Sequence, residues 1–161
     1  MKYTLNIDKR FNKAIKEFMK KHEDCEREVT GEKFSYTFQP DNYGIEITVR
    51  CESCGDELHL MEYYDREMVG DIEESDTVIF SDDSENREGV SFTIDDSKSE
   101  EFKEFFQEHS KCRASSTGGR YAYTFIPSYY SMRILIECCC EDVLDIMEYN
   151  EPFTESQYIN D

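Results

Sequence analysis

Seven cysteines and three histidines are the residues of this 161-residue chain whose types and spacing could do chemistry. Two histidines stand three positions before a cysteine, as His22-x-x-Cys25 and His109-x-x-Cys112. An interval of 25 residues follows each pair, and then a second group: Cys51-x-x-Cys54-Gly55 in the first case, Cys138-Cys139-Cys140 in the second. Residues i and i+3 at a helix end share a face, so His and Cys at that spacing can converge on one atom. Two cysteines in a tight hairpin turn bring their sulfurs together, and Gly55 lets the backbone turn sharply behind them, as in a zinc knuckle. One imidazole nitrogen and three thiolates, arriving as two pairs, suit tetrahedral zinc.

The spacing therefore predicts two structural zinc ions per chain, one held by His22, Cys25, Cys51 and Cys54, the other by His109, Cys112, Cys138 and Cys140. Four protein ligands close a site to water, so such an ion would fold the domain and not catalyse. The competing account is that small buried cysteines are ordinary core residues. A lone Cys-x-x-Cys would not decide between them; two pairs repeated at one interval favour metal. The second group is a residue shorter and has Glu141 where Gly55 stood, so Cys139 is either spare or replaces Cys138 or Cys140 as a ligand. His59 has Asp145 as its counterpart and reads as an exposed strand histidine.

The elements that must position these residues come in two copies. Sliding the sequence by 87 positions lays Ile7-Asp8 on Ile94-Asp95, His22 on His109, Cys25 on Cys112, Thr30-Gly31 on Thr117-Gly118, Tyr36-Thr37-Phe38 on Tyr123-Thr124-Phe125, and Cys51 on Cys138. After one lost residue the offset is 86, and Met61-Glu62-Tyr63 falls on Met147-Glu148-Tyr149. The fold class expected is α+β: a tandem duplication (residues 1–64 and 89–161) of a small zinc-stapled β-α-β-β-β unit, each an antiparallel sheet with one helix packed on it. Strands begin each copy at Tyr3 to Ile7 and Val90 to Ile94. Phe11, Ile15, Phe18 and Met19 form a helical apolar stripe, as do Phe102, Phe105 and Phe106. Ser97 and Glu100 have capping-box spacing. A three-strand meander follows, its second strand carrying Phe34, Tyr36 and Phe38 and ending at Pro40, its third alternating Ile45, Ile47 and Val49, with equivalents in copy two.

The net charge is -19, from 37 acidic and 18 basic residues. Residues 1–64 carry -3, residues 65–88 carry -8 and residues 89–161 carry -8. The middle segment, ten acidic and two basic residues, reads as a solvated linker, although Thr77-Val78-Ile79-Phe80 inside it could add an edge strand. A chain this acidic repels phosphate backbones and is drawn to basic surfaces. The expected function is thus a non-enzymatic acidic protein-binding module whose partner is a basic protein surface, such as that of a nucleic-acid-binding protein. In size and charge, though in no motif, the chain resembles the small acidic inhibitors encoded by phages, anti-CRISPR proteins among them. That resemblance implies a decoy occupying a basic groove. The alternative is a zinc-containing nucleic-acid-binding protein that uses the first helix, where Lys9, Lys13, Lys16 and Lys20 line one face and Arg10 and Lys21 flank them. Copy two has Asp96, Glu100, Lys103 and Gln107 there, which favours a plain solvated face.

Enzyme classes find little support. No His-Glu-x-x-His occurs, only His59 is left as a histidine base, and Cys139 lies among Glu137, Glu141 and Asp142, not in the electropositive surroundings of an activated thiol. Ser115-Ser116-Thr117-Gly118-Gly119 follows a helix instead of preceding one and reads as a turn. Tyr43, Tyr129 and Tyr130 cluster at hairpin turns and would suit an interface. The N-terminal residues lack the apolar core of a signal peptide, so a cytoplasmic location with reduced thiols is expected.

Overall fold

A computed structural model describes residues 2–29, 31–63, 91–95 and 100–149. The acidic segment with Thr77–Phe80, the Ser97 of the capping box and the tail 151–161 lie outside the described residues. Among those described, no helix is long and apolar enough to cross a membrane.

The first half contains β1 (Lys2–Asn6), α1 (Asn12–Lys21), β2 (Phe34–Pro40), β3 (Gly44–Cys51) and β4 (Glu57–Tyr63). The second contains β5 (Ser91–Asp95), α2 (Glu100–Glu108), β6 (Tyr121–Pro127), β7 (Ser131–Cys138) and β8 (Val143–Tyr149). The class is α+β, with antiparallel sheets and the expected element order in each half.

The expectation that each half forms its own sheet is corrected: both the meander and the first strand of each half pair with those of the other. The meanders join through β2 and β6 into one antiparallel sheet of six strands, in the order β4-β3-β2-β6-β7-β8. At that junction Thr37 faces Thr124, their hydroxyl oxygens 2.9 Å apart. β1 pairs with β5 in a separate two-stranded ribbon, with Leu5 opposite Phe92. Both facing pairs are 87 positions apart in sequence, so one approximate two-fold axis passes through them and relates the halves. A lone three-strand meander would expose the backbone groups of β2 along an open edge, and this pairing closes that edge in both halves at once.

One face of the large sheet buries Tyr36, Phe38, Ile45, Ile47, Val49, Phe125, Ile134 and Ile136. Against it pack Leu5, Phe92 and Ile94 from the ribbon, Ile7 just after β1, and Ile15, Phe18, Phe102 and Phe105 from the helices, in one continuous core. Phe92 sits near its centre, stacked on Phe125 at 4.7 Å between ring centroids and 5.0 Å from Tyr36. The loop after each helix also reaches across. Asn42 at the β2–β3 turn donates its N–H to the Thr117 carbonyl at 2.8 Å, and a Cβ on Gly118 would collide with the Asn42 side chain. In the symmetry-equivalent place, a Cβ on Gly31 would lie 2.6 Å from the ring carbons of Tyr129. The serine-threonine-glycine run is thus a turn, tied by Ser115 N–H to the Gly119 carbonyl at 2.9 Å and seated on the opposite half.

Candidate metal centre

Each helix ends in the residue that starts a site. His22 follows α1 and donates its backbone N–H to the Met19 carbonyl at 3.1 Å; the Cys25 N–H then bonds the His22 carbonyl at 3.1 Å, turning the chain back over the helix end. After α2 the His109 N–H bonds the Phe105 carbonyl at 3.0 Å, and the Cys112 N–H bonds the His109 carbonyl at 3.1 Å. Phe18 and Phe105 flank the imidazoles, with ring centroids 4.6 and 4.3 Å away, and both histidines are buried.

The hairpins that bring the remaining sulfurs differ by one residue. Between β3 and β4, Cys51 N–H bonds the Asp56 carbonyl at 2.9 Å and Gly55 N–H returns to the Cys51 carbonyl at 2.8 Å, enclosing four turn residues. Between β7 and β8, Cys138 N–H bonds the Asp142 carbonyl at 2.9 Å and Glu141 N–H returns to Cys138 at 2.8 Å, enclosing three. Gly55 has φ +79° and Glu141 φ +72°. Glu141 therefore adopts the left-handed conformation that a three-residue hairpin requires at its last position, without being glycine. Glu52 N–H bonds the Lys33 carbonyl, and Cys139 N–H bonds the equivalent Arg120 carbonyl. The residue lost from the second turn is thus the counterpart of Ser53. Cys139 stands in the place of Glu52, exposed, with its thiol donating to the Arg113 carbonyl at 2.9 Å. Of the three consecutive cysteines, Cys138 and Cys140 thus join the gathered donors and Cys139 does not.

The structure gathers His22, Cys25, Cys51 and Cys54 into one set and His109, Cys112, Cys138 and Cys140 into another; in each set the donor atoms lie within 4.8 Å of one another. All seven cysteines are free of disulfides. Nδ1 of His22 lies 3.3 Å from Cys54 Sγ and 3.6 Å from Cys25 Sγ. Nδ1 of His109 lies 3.3 Å from Cys140 and 3.4 Å from Cys112. Crowded thiols resist ionising together. Burial, then the neighbouring Cys51 and Cys54 sulfurs, push the Cys25 thiol up to about 11; burial with Cys138 and Cys140 pushes Cys112 up to about 12. For Cys51 burial acts in the same direction, but backbone N–H groups of Cys54 and Ser53 outweigh it and hold the thiol below its ordinary value. A cation at the centre of either set would neutralise this crowding. The two sets could each hold one metal ion.

Sequence reasoning missed a fifth member of each site. Nε2 of His22 donates to Asp56 Oδ2 at 3.0 Å, and Nε2 of His109 lies 3.0 Å from Asp142 Oδ2. In the first site this is a directed hydrogen bond. In the second the distance is the same, but the ring N–H is not aligned on the oxygen. A proton on Nε2 leaves the Nδ1 lone pair free toward the sulfurs, the tautomer that a ligand histidine needs. Burial opposes ionisation of Asp56, but the Glu57 N–H, the Lys21 ammonium 3.5 Å away and His22 hold its carboxyl below the usual range. The signal was present in the sequence: both halves read Cys-x-Asp there, as Cys54-Gly55-Asp56 and Cys140-Glu141-Asp142. His59 lies outside both sets, with its side chain exposed beside Glu46 and Glu57. Lys9, Lys13, Lys16 and Lys20, and Tyr43, Tyr129 and Tyr130, are exposed as well.

Compared with protein-family models, curated proteins and solved structures, the chain matches none.

Proposed function

We propose that the chain is a duplicated, zinc-stapled scaffold with a non-enzymatic role: it binds a basic protein surface, such as the nucleic-acid groove of a DNA- or RNA-binding protein, and acts there as an inhibitor or decoy. The observation that carries the metal part is the convergence of two Cys3His sets with a carboxylate behind each imidazole. Tetrahedral zinc would hold its sulfurs at about 2.3 Å from the ion, hence about 3.8 Å from each other. All four positions are then filled by protein, so the ion ties a helix end to a hairpin and activates no water.

The charge supports the partner class. The acidic segment and the second half together carry -16 of the total -19, and such a potential steers toward lysine- and arginine-rich grooves. Native mass spectrometry of chelator-free protein should find two zinc ions per chain; none bound in folded, reduced protein would remove the zinc reading. Binding to candidate nucleases and polymerases should weaken steeply with salt, and salt-insensitive binding would remove the decoy reading. A second reading is favoured by one feature, the exposed lysines of α1. If the protein retards DNA or RNA in a gel at low salt, the nucleic-acid-binding alternative replaces the decoy.

A further inference from the structure

α1 and α2 occupy equivalent places about the internal two-fold axis, yet their outward charges are opposite. α1 carries Lys13, Lys16, Lys20 and Lys21 against Glu17, a net +3. α2 carries Glu100, Glu101, Glu104 and Glu108 against Lys103, a net -3. All of these side chains are exposed. Four of the chain's 18 basic residues lie on α1, and Lys9 and Arg10 directly precede it.

Local helix stabilisation does not account for the pattern. Lys13, Lys16 and Lys20 make no ion pair among the described residues, and neither do Glu101, Glu104 and Glu108; only Lys21 with Asp56 and Lys103 with Glu100 are paired. The helix dipole favours Lys20 and Lys21 in the last turn of α1 and Glu100 and Glu101 in the first turn of α2, but disfavours Lys13 in the first turn of α1 and Glu108 in the last turn of α2, so it accounts for only part of the pattern. The buried stripes of the two helices match, whereas their solvent faces have opposite sign.

We infer that these two faces are a self-complementary interaction surface and that the partner is a second copy of this chain. A second copy turned about an axis perpendicular to the internal one lays its α2 on the first copy's α1. The same rotation lays its α1 on the first copy's α2. The contact is made twice and closes as a dimer. The other perpendicular rotation sets α1 against α1 and α2 against α2, and like charges exclude it. The overall acidity of two copies is screened beyond about 8 Å at physiological salt, whereas opposite charges in contact are screened far less.

The test is sedimentation of the full-length protein and two charge-reversed variants, Lys13→Glu/Lys16→Glu/Lys20→Glu and Glu100→Lys/Glu104→Lys/Glu108→Lys. At about 0.15 M salt the unaltered protein sediments as a dimer and at about 1 M as a monomer, because contact ion pairs fail when the screening length falls to about 3 Å. Each variant alone presents two faces of one sign and stays monomeric. Their equimolar mixture restores the dimer, which also shows that both variants are folded. An unaltered protein that is monomeric at every salt concentration overturns the inference, as does a dimer that either variant leaves intact. So does a monomer whose α1 variant alone loses retention on single-stranded DNA, since the lysine face would then belong to nucleic acid.

Discussion

Replacing Asp56 by alanine tests the histidine geometry most directly. Asp56 is not one of the four gathered donors; its Oδ2 lies 3.0 Å from Nε2 of His22 and 3.5 Å from the Lys21 ammonium, and its Oδ1 accepts the Glu57 N–H at 3.1 Å. His22 is 6% exposed, so its ring N–H, deprived of the carboxylate, has little water to turn to. An unsatisfied buried donor costs about 1–3 kcal/mol, and carboxylates behind ligand histidines are worth about 10- to 100-fold in metal affinity. The two estimates agree, since two decades correspond to about 2.7 kcal/mol. Asp56→Ala should therefore weaken zinc at the first site by about 10- to 100-fold, and Asp56→Asn, which keeps an acceptor, by less. The matching change at Asp142 should cost less than at Asp56, because its contact with His109 is not aligned and its side chain is 64% exposed against 46% for Asp56. Competition with a chromogenic chelator, read site by site with cysteine variants of the other site, measures each affinity. An Asp56→Ala protein that holds zinc as tightly as the parent would mean that the imidazole coordinates through Nε2 after a ring flip, and the assignment of Nδ1 would be wrong.

The turns give a second expectation: Gly55→Ala should destabilise by about 1–2 kcal/mol because φ there is +79°, whereas Glu141→Gly should be neutral or stabilising by up to about 1 kcal/mol, both read from urea midpoints of the metal-loaded protein. Phe92→Ala should cost about 3–5 kcal/mol and lower the midpoint of a single transition for both halves, since Phe92 from the second half packs on Tyr36 and Phe38 of the first; two separate transitions in calorimetry of the unaltered protein would contradict this. The Arg133 guanidinium grips Asp145 at 3.0 and 2.6 Å and holds its carboxyl below the ordinary value. That contribution is present above the unfolded value of about 3.9 and is lost as pH falls through the lower folded value. Both groups are partly exposed, so Asp145→Asn should cost at most about 1 kcal/mol at pH 7 and nothing at pH 2; an equal deficit at both would refute the pairing.

The gathered His and Cys donors were legible because their chemistry resides in residue type. Cysteine and histidine are scarce here, and their spacing survives even where the second turn has lost a residue. Helices and strands were legible because Ile15 and Phe18, or Ile45, Ile47 and Val49, repeat at the period of one buried face. Alternation says which face of a strand is buried but not which neighbour lies beside it, so the pairing of β2 with β6 and of β1 with β5 could not be read. Thr37 and Thr124 are informative only once they are seen to face each other. Asp56 and Asp142 escaped for a different reason: among 37 acidic residues nothing in type distinguishes a carboxylate behind an imidazole from one in solvent. Glu141 escaped because sequence reasoning expected the turn to need glycine, whereas a three-residue hairpin accepted the strain of a left-handed glutamate.

The two halves share what is buried and differ in what is exposed, and the fold explains the division. Near the axis, Phe92, Phe125, Tyr36 and Phe38 from both halves pack on one another, so a change in one half is felt by the other. Away from the axis each metal set lies wholly within its own half, tying one helix end to one outer hairpin. The second hairpin is one residue shorter than the first, with Glu141 in the left-handed conformation and Cys139 turned outward. On the solvent faces of α1 and α2 the two halves carry opposite charge. A binding surface on this scaffold is accordingly to be sought where the halves differ. Symmetry at the core supplies two matched platforms, and the unlike charges of α1 and α2 make them distinguishable to a partner.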